Sequence, residues 1–358
     1  MDALTTPSNW QRVRLGDIAN YLTSNLSAEQ ITQQGKFKVY DVNNFIGYTD
    51  IAFISDKPYI SIVKDGSVGR VRILPPKTNI LSTMGALIAN HKTTTEFLFY
   101  LLSNFDFKNF TSGSIIPHIY FKDYKEKTIF LPSLNEQIAI ANILSDVDHY
   151  LCSLDALILK KESVKKALSF ELLSQRKRLK GFNQNWQRVR LGDIANYLTS
   201  NLSAEQITQQ GKFKVYDVNN FIGYTDIAFI SDKPYISIVK DGSVGRVRIL
   251  PPKTNILSTM GALIANHKTT TEFLFYLLSN FDFKNFTSGS IIPHIYFKDY
   301  KEKTIFLPSL NEQIAIANIL SGLDHEIISL KNKKRQFENI KKALNHDLMS
   351  AKIRVLNK

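Results

Sequence analysis

Residues 10–18 (WQRVRLGDI) alternate apolar and polar positions up to Leu15-Gly16-Asp17, which predicts a strand and turn leading to a short helix near 18–22. Residues 37–42 read as a strand. Tyr59–Val63 and Val71–Leu74 flank KDGSVGR, where Gly66 and Gly69 supply turn freedom, and this is a hairpin pattern. Pro75 and Pro76 end it, and 79–81 and 86–89 are further strand candidates. TEFLFYLLS (Thr95–Ser103) has helical spacing. A polar loop, a short element around 121–125 and a closing strand at Thr128–Leu131 complete a mixed α+β module in which strands dominate.

The pattern then changes period. Ser133-Leu-Asn-Glu136 and Ser309-Leu-Asn-Glu312 fit a capping box just after a proline. Leu144, Val147, Leu151, Leu154, Ile158, Val164, Leu168 and Leu172 follow near 3-4 spacing. Leu320, Leu323, Ile327, Leu330, Phe337, Ile340, Leu344 and Leu348 follow it again. Each stripe predicts a helix of about 45 residues, roughly 65 Å long. Such stripes want partner helices, which predicts one antiparallel coiled coil holding two modules at a fixed distance. The competing reading has two unrelated amphipathic helices, each packing on its own module.

The chain is an internal repeat. Residues 9–145 and 185–321 are identical over 137 positions, at a shift of 176. Beyond the repeat the copies diverge but still align, as in KKAL at 165–168 and at 341–344. Complete identity beside diverged flanks records either a recent copying of one module over the other or a deliberate duplication. Each module, at about 125 residues, is long enough for its own core.

The 358 residues are 44% hydrophobic and 22% charged, an ordinary globular composition that excludes disorder and low-complexity arrays. No apolar run approaches the roughly 18 residues of a membrane span. The opening MDALTTPSNW has no basic start and no apolar stretch, so no signal peptide is expected. The net charge of +13 is spread along the chain and points first to a polyanion such as nucleic acid. The single cysteine, Cys152, fits a reducing compartment, excludes a cysteine-based zinc site and reads as a small packing residue of the helical stripe.

Catalytic signatures are missing from the sequence. There is no Gly-x-x-x-x-Gly-Lys-Ser/Thr phosphate loop and no glycine-rich nucleotide turn. Leu74-Pro75-Pro76-Lys77 lacks the Asn/Asp-Pro-Pro-aromatic motif of an adenine methyltransferase. His91 and His118 are isolated, and Asp123 and Glu126 have no third partner. The chain therefore reads as non-enzymatic, without metal or cofactor of its own.

These motifs, in this order and twice over, resemble the specificity subunits of type I restriction-modification systems. Trp10 with Leu15-Gly16-Asp17-Ile18 is similar to the opening of their target recognition domains. So are IVKDGSVGRV (62–71) and SGSIIPHIYFKDYKEKTIFLPSLNEQIAIANIL (112–144). LLSQRKRLKGF (172–182) resembles the family's mid-chain signature, and LMSAKIRV (348–355) its C-terminal one. The resemblance covers nearly the whole chain. It implies an α+β architecture of two tandem target recognition domains, with two long helices forming an antiparallel coiled coil and pseudo-two-fold symmetry. The expected boundaries are 1–132 for recognition domain 1, 133–180 for helix 1, 181–308 for recognition domain 2 and 309–358 for helix 2.

The resemblance further implies a cytoplasmic, non-catalytic partner of double-stranded DNA. Two methyltransferase subunits would dock on it, and restriction/translocase subunits would complete the complex. S-adenosylmethionine, ATP and Mg would sit on those partners. Family members usually carry two different recognition domains, whereas these two are identical. Two identical modules about a two-fold read inverted copies of one half-site, so a gapped palindrome is expected, its spacer set by the helices.

Phosphate contacts need Lys, Arg, hydroxyls and backbone amides, and base reading needs side chains that reach groove edges. The first candidate loop supplies Lys64, Ser67, Arg70 and Arg72, against the plainer reading of a solvated hairpin tip. The second supplies Ser112, Ser114, His118, Tyr120 and Lys122. Its plainer reading has Ile115, Ile116 and Ile119 anchoring the loop while the polar residues face water. Tyr40, Asn43 and Asn44 form a weaker third group. The second copy repeats the main candidates as Lys240, Ser243, Arg246, Arg248, Ser288, Ser290, His294, Tyr296, Lys298 and Asn219. A free-standing repressor and a purely structural scaffold are the alternative functions. A specificity subunit should leave an apolar or mixed helical face for its partners.

Overall fold

A computed structural model describes residues 10–355, so the opening stretch read for a leader lies, up to Asn9, outside the described residues. The first module contains β1 (Gln11–Arg14), β2 (Ala19–Thr23), β3 (Phe37–Tyr40), β4 (Phe45–Thr49), β5 (Tyr59–Val63), β6 (Val71–Leu74), β7 (Thr78–Ile80) and β8 (Met84–Ala89). Then come α1 (Thr95–Ser103), α2 (Phe121–Tyr124), β9 (Thr128–Leu131) and α3 (Leu134–Leu173). The second copy repeats the module, with helices α4 (Thr271–Ser279), α5 (Phe297–Tyr300) and α6 (Leu310–Met349).

A four-stranded antiparallel sheet runs β2-β8-β5-β6, and a three-stranded sheet runs β4-β3-β7 with β3 and β7 parallel. β1 pairs β9 and brings the two ends of the module together. The hairpin, α1 and the closing strand form where the apolar pattern places them. The region read as a short helix near 18–22 is instead strand β2, because β8 offers it a full antiparallel partner from Ala19↔Ala89 to Thr23↔Gly85. A single 3-10 turn at Leu15–Asp17 precedes it. Strand β4 is not legible in the pattern, where Gly47 interrupts it.

α1 starts at a Thr94 cap, whose hydroxyl accepts the Phe97 N–H at 3.1 Å. Its buried Phe97, Leu98 and Leu101 cover the sheet face that carries Ile60, Ile62 and Leu87. Buried Gln137 then fixes the start of α3. Its Oε1 accepts from the Thr93 hydroxyl at 2.9 Å and the Thr94 N–H at 3.1 Å, and its Nε2 donates to the Lys92 and Pro132 carbonyls. A buried amide leaves no cheap alternative to these bonds, so the module and its helix start are joined rigidly.

The chain divides into two compact units, and each division falls inside a long helix. Unit 1 takes residues up to Asp155 together with Asn332 onward, and unit 2 takes Ala156–Lys331. Unit 1 thus joins its module to the first part of α3 and the last part of α6. Within it, Asp148 meets Lys341 at 2.5 Å, the Tyr150 and Phe337 rings lie 4.6 Å apart at a tilt of 54°, and Asp155 meets Lys334 at 2.7 Å. Numbers rise along α3 as they fall along α6, so the segments run antiparallel. Unit 2 does the same with the remaining halves, through Lys161–Glu326 at 2.6 Å and the Lys165–Asp324 ion pair.

Each long helix has 40 residues, about 60 Å, and is shorter than the stripes predict. Leu144, Leu154, Ile158 and Leu172 of the first stripe are buried, as are Leu320, Ile327 and Leu348 of the second. Val164 and its counterpart Ile340 depart from the pattern and stand exposed at 40% and 51%. The helix turns Lys165 and Lys341 inward there instead, each onto an aspartate. Cys152 is also exposed, so its reading as a packing residue fails: it lies off the buried seam.

Candidate nucleic-acid interface

Three separate stretches of each module converge on one surface. The hairpin turn between β5 and β6 is closed by Val63 N–H to the Arg70 carbonyl and Gly69 N–H to the Val63 carbonyl, both 2.9 Å. Gly69 has φ +81°, and a Cβ there would lie 2.6 Å from the Phe107 ring, so only glycine permits this packing. The 111–122 loop is pinned to that hairpin. Gly66 N–H donates to the Pro117 carbonyl at 2.8 Å, Ile119 N–H to the Lys64 carbonyl at 2.9 Å, and His118 Nδ1 lies 2.7 Å from Asp65 Oδ1.

The tip between β3 and β4 joins from the other side. Arg70 Nη2 donates to Asn43 Oδ1 at 2.7 Å, and Arg72 Nη1 to the Asn43 carbonyl at 2.8 Å. Arg72 also lies 5.3 Å over the Tyr40 ring. Asp41 Oδ1 shapes the tip by accepting the Asn43 and Asn44 N–H groups. Lys122 sits 5.4 Å from the Tyr120 ring, which stacks beside His118.

Lys64, Arg72 and His118 are half-buried, whereas Asn43, Ser67, Arg70, Ser112, Ser114, Tyr120 and Lys122 are exposed. The second copy reproduces the arrangement. Arg246 and Arg248 engage Asn219 at 2.6 and 2.9 Å, His294 lies 2.7 Å from Asp241, and Lys298 lies 5.5 Å from the Tyr296 ring. Lys240 is half-buried like Lys64, and Ser243, Ser288 and Ser290 are exposed like their counterparts.

Two features escape the sequence reading. Asp65 and Asp41 organise the loops, though only as acidic residues beside turns do they signal it. The loop's isoleucines also divide: Ile119 is buried, but Ile115 is 92% exposed and Ile116 is 55% exposed, so these two do not anchor it. Among the described residues no group of three His, Cys, Asp or Glu could hold a metal ion, and no helix is long and apolar enough to cross a membrane.

Each copy of the module thus carries one surface of basic, hydrogen-bonding loops and runs on into a long helix. Residues 7–161 and 183–339 each match the type I restriction modification DNA specificity domain. The chain belongs to this family, as a type I specificity subunit with two DNA-recognition domains. It is 26% identical to the type I restriction enzyme MjaVIII specificity subunit of Methanocaldococcus jannaschii, over 100% of this chain and 96% of that one. It is 28% identical to the putative type I restriction enzyme MjaX specificity subunit of the same organism, over 98% and 95%. In fold it resembles the crystal structure of the type I restriction-modification system S subunit from M. genitalium. The TM-score is 0.67 at 24% identity, covering 97% of this chain and 98% of that one.

Proposed function

We propose that each recognition domain reads one half of a bipartite, gapped DNA site through the surface built from 43, 64–72 and 111–122, and its second-copy equivalent. The observation that carries this is the convergence of three sequence-distant loops, each rich in groups suited to phosphate and base edges, onto one surface made twice. Identical modules read the same half-site. We infer that the two halves are read as inverted copies, as by a two-fold pair of identical modules, so that the site is a gapped palindrome. The recognition domains proper are 1–132 and 181–308. The helical stretches 133–180 and 309–358 set the spacer.

The same helices carry two adenine-methyltransferase subunits. Leu159 at 65%, Phe170, Ile328 and Ile340 stand exposed along α3 and α6, more apolar surface than a free-standing repressor has reason to leave. The chain contributes recognition, and the chemistry belongs to its partners. S-adenosylmethionine sits on the methyltransferase subunits, and ATP and Mg on the restriction/translocase subunits. The assembly works in the cytoplasm.

The test is single-molecule sequencing for N6-methyladenine in cells that co-express this chain with its cognate methyltransferase subunit. A gapped palindromic motif is expected. Two unrelated half-sites would overturn the palindrome. No new methylation would move the protein to the free-standing DNA-binding class.

A further inference from the structure

Among the described residues, the most exposed large apolar side chain in each module stands on the 111–122 loop, or its second-copy equivalent, of the surface proposed above to read DNA. Ile115 is 92% exposed, as is Ile291 in the second copy. It does not dangle. Ser112 and His118 exchange two backbone hydrogen bonds, at 2.9 and 2.7 Å, across the base of the tip. Gly113 takes φ +90°, and a Cβ there would lie 2.4 Å from the Ile116 carbonyl oxygen. Pro117 fastens the tip to the neighbouring hairpin through Gly66, and buried Ile119 roots it. The tip thus holds out a β-branched side chain with few rotamers.

Its surroundings restrict what can cover it. Tyr120 and Lys122 follow it on the same loop, paired with each other at 5.4 Å, and the hairpin that carries Lys64 and Arg70 is hydrogen-bonded to its base. A partner must be anionic around the rim and apolar at one point. Duplex DNA meets both conditions. Along its groove edges the apolar group is the thymine 5-methyl, and it lies in the major groove.

We propose that Ile115 and Ile291 are specificity-determining contacts, each seated against a thymine 5-methyl within its half-site. This rests on the DNA-reading role above. It adds the identity of one base, read by loss of water from two apolar groups rather than by a hydrogen bond.

The experiment is a binding selection with the full-length chain on a random-sequence duplex pool, prepared once with thymine and once with uracil in its place. The proteins are the wild type and the Ile115→Ala, Ile291→Ala double variant, with Ile115→Val, Ile291→Val as a conservative control. The exposed position leaves folding intact, which thermal midpoints check. On the thymine pool the wild type should select a motif with a thymine in each half. The alanine variant should lose preference at that position alone and bind about tenfold more weakly per half-site. On the uracil pool the wild type should behave like the alanine variant. The valine control should keep the thymine preference.

An alanine variant that selects the same motif with the same affinity overturns the proposal and assigns the tip to a protein partner. A variant weakened equally on both pools, with its motif unchanged, also overturns it and points to insertion between base steps. A wild type that selects no motif overturns the DNA-reading role itself, and this contact with it.

Discussion

Arg354 Nε lies 3.1 Å from Glu136 Oε1, joining the residues just past α6 to the first turn of α3. Glu136 is 1% exposed, and its Oε2 accepts the Trp10 indole N–H at 3.1 Å. Unit 2 repeats this with the residues 176 further on or back. Arg178 Nη2 and Trp186 Nε1 lie 2.9 and 3.0 Å from Glu312 Oε2. The signature segments that end each helical stretch are therefore latches, and each arginine neutralises a carboxylate buried at the start of the other helix.

Removing the arginine takes a cationic donor away from that buried carboxylate, which is costly whatever the net value of the pair. Arg354→Ala should destabilise unit 1 by about 3 kcal/mol, and Arg178→Ala should do the same to unit 2. Urea denaturation midpoints check both. A change below about 0.5 kcal/mol would mean that the Trp10 bond and local water suffice.

A second network ties the module to both helices. The Tyr100 hydroxyl donates to Asp148 Oδ2 at 2.8 Å, and Lys341 meets the other oxygen. Tyr276, Asp324 and Lys165 repeat it. These ion pairs are only partly buried, so their electrostatic value is discounted. Asp148→Asn should cost about 1 kcal/mol, and Asp148→Asn with Lys341→Met should recover part of it. Thermal denaturation of the single and double variants measures the coupling.

Alkaline pH tests the buried tyrosines. Burial raises Tyr59 and Tyr235 to about 12, against an ordinary value of 10. A group whose folded pKa is raised contributes stability that is fully present below the unfolded pKa and is lost as pH rises toward the folded one. Stability from these two should hold through pH 9 and fall between pH 10 and 12, by about 1.4 kcal/mol per tyrosine per pH unit. Tyr59→Phe with Tyr235→Phe should flatten that part of the curve. Melting followed by circular dichroism from pH 8 to 12 decides it.

Arg70 and Arg246 stand at equivalent places on identical surfaces. Arg70→Ala and Arg246→Ala should weaken binding to the proposed palindromic site equally, and the double variant should lose the sum of the two on a logarithmic scale. Each should also lower the salt slope of binding by about one where the arginine meets a phosphate. Fluorescence anisotropy at several salt concentrations reads both quantities. An unchanged slope and affinity would remove the hairpin from the interface.

Local chemistry explains what was legible without coordinates. The β5–β6 hairpin carries its own glycine turn, α1 its own threonine cap, and β9 a short apolar run after charged residues. Asn43 reads as an ambiguous turn residue because its partners, Arg70 and Arg72, lie 27 and 29 positions away. Glu136 fits a local capping box in sequence, yet its carboxylate meets Trp10 and Arg354, 126 and 218 positions away.

By itself the sequence determined the repeat, the mixed module, the two long helices, the basic charge and the residue types able to meet DNA. All of these depend on composition, period or neighbours a few positions apart. Only the tertiary structure decided that residues 19–23 form a strand rather than a helix, because β8 completes its hydrogen bonds. Only it turned Lys165 and Lys341 inward and Val164 and Ile340 outward, because each lysine finds an aspartate across the antiparallel pair. It also left Ile115 in water while burying Ile119, since Ile119 is hydrogen-bonded to Lys64 of the distant hairpin and joins the core, while the tip before it projects. Such outcomes depend on partners distant in the chain, whose placement no local pattern encodes.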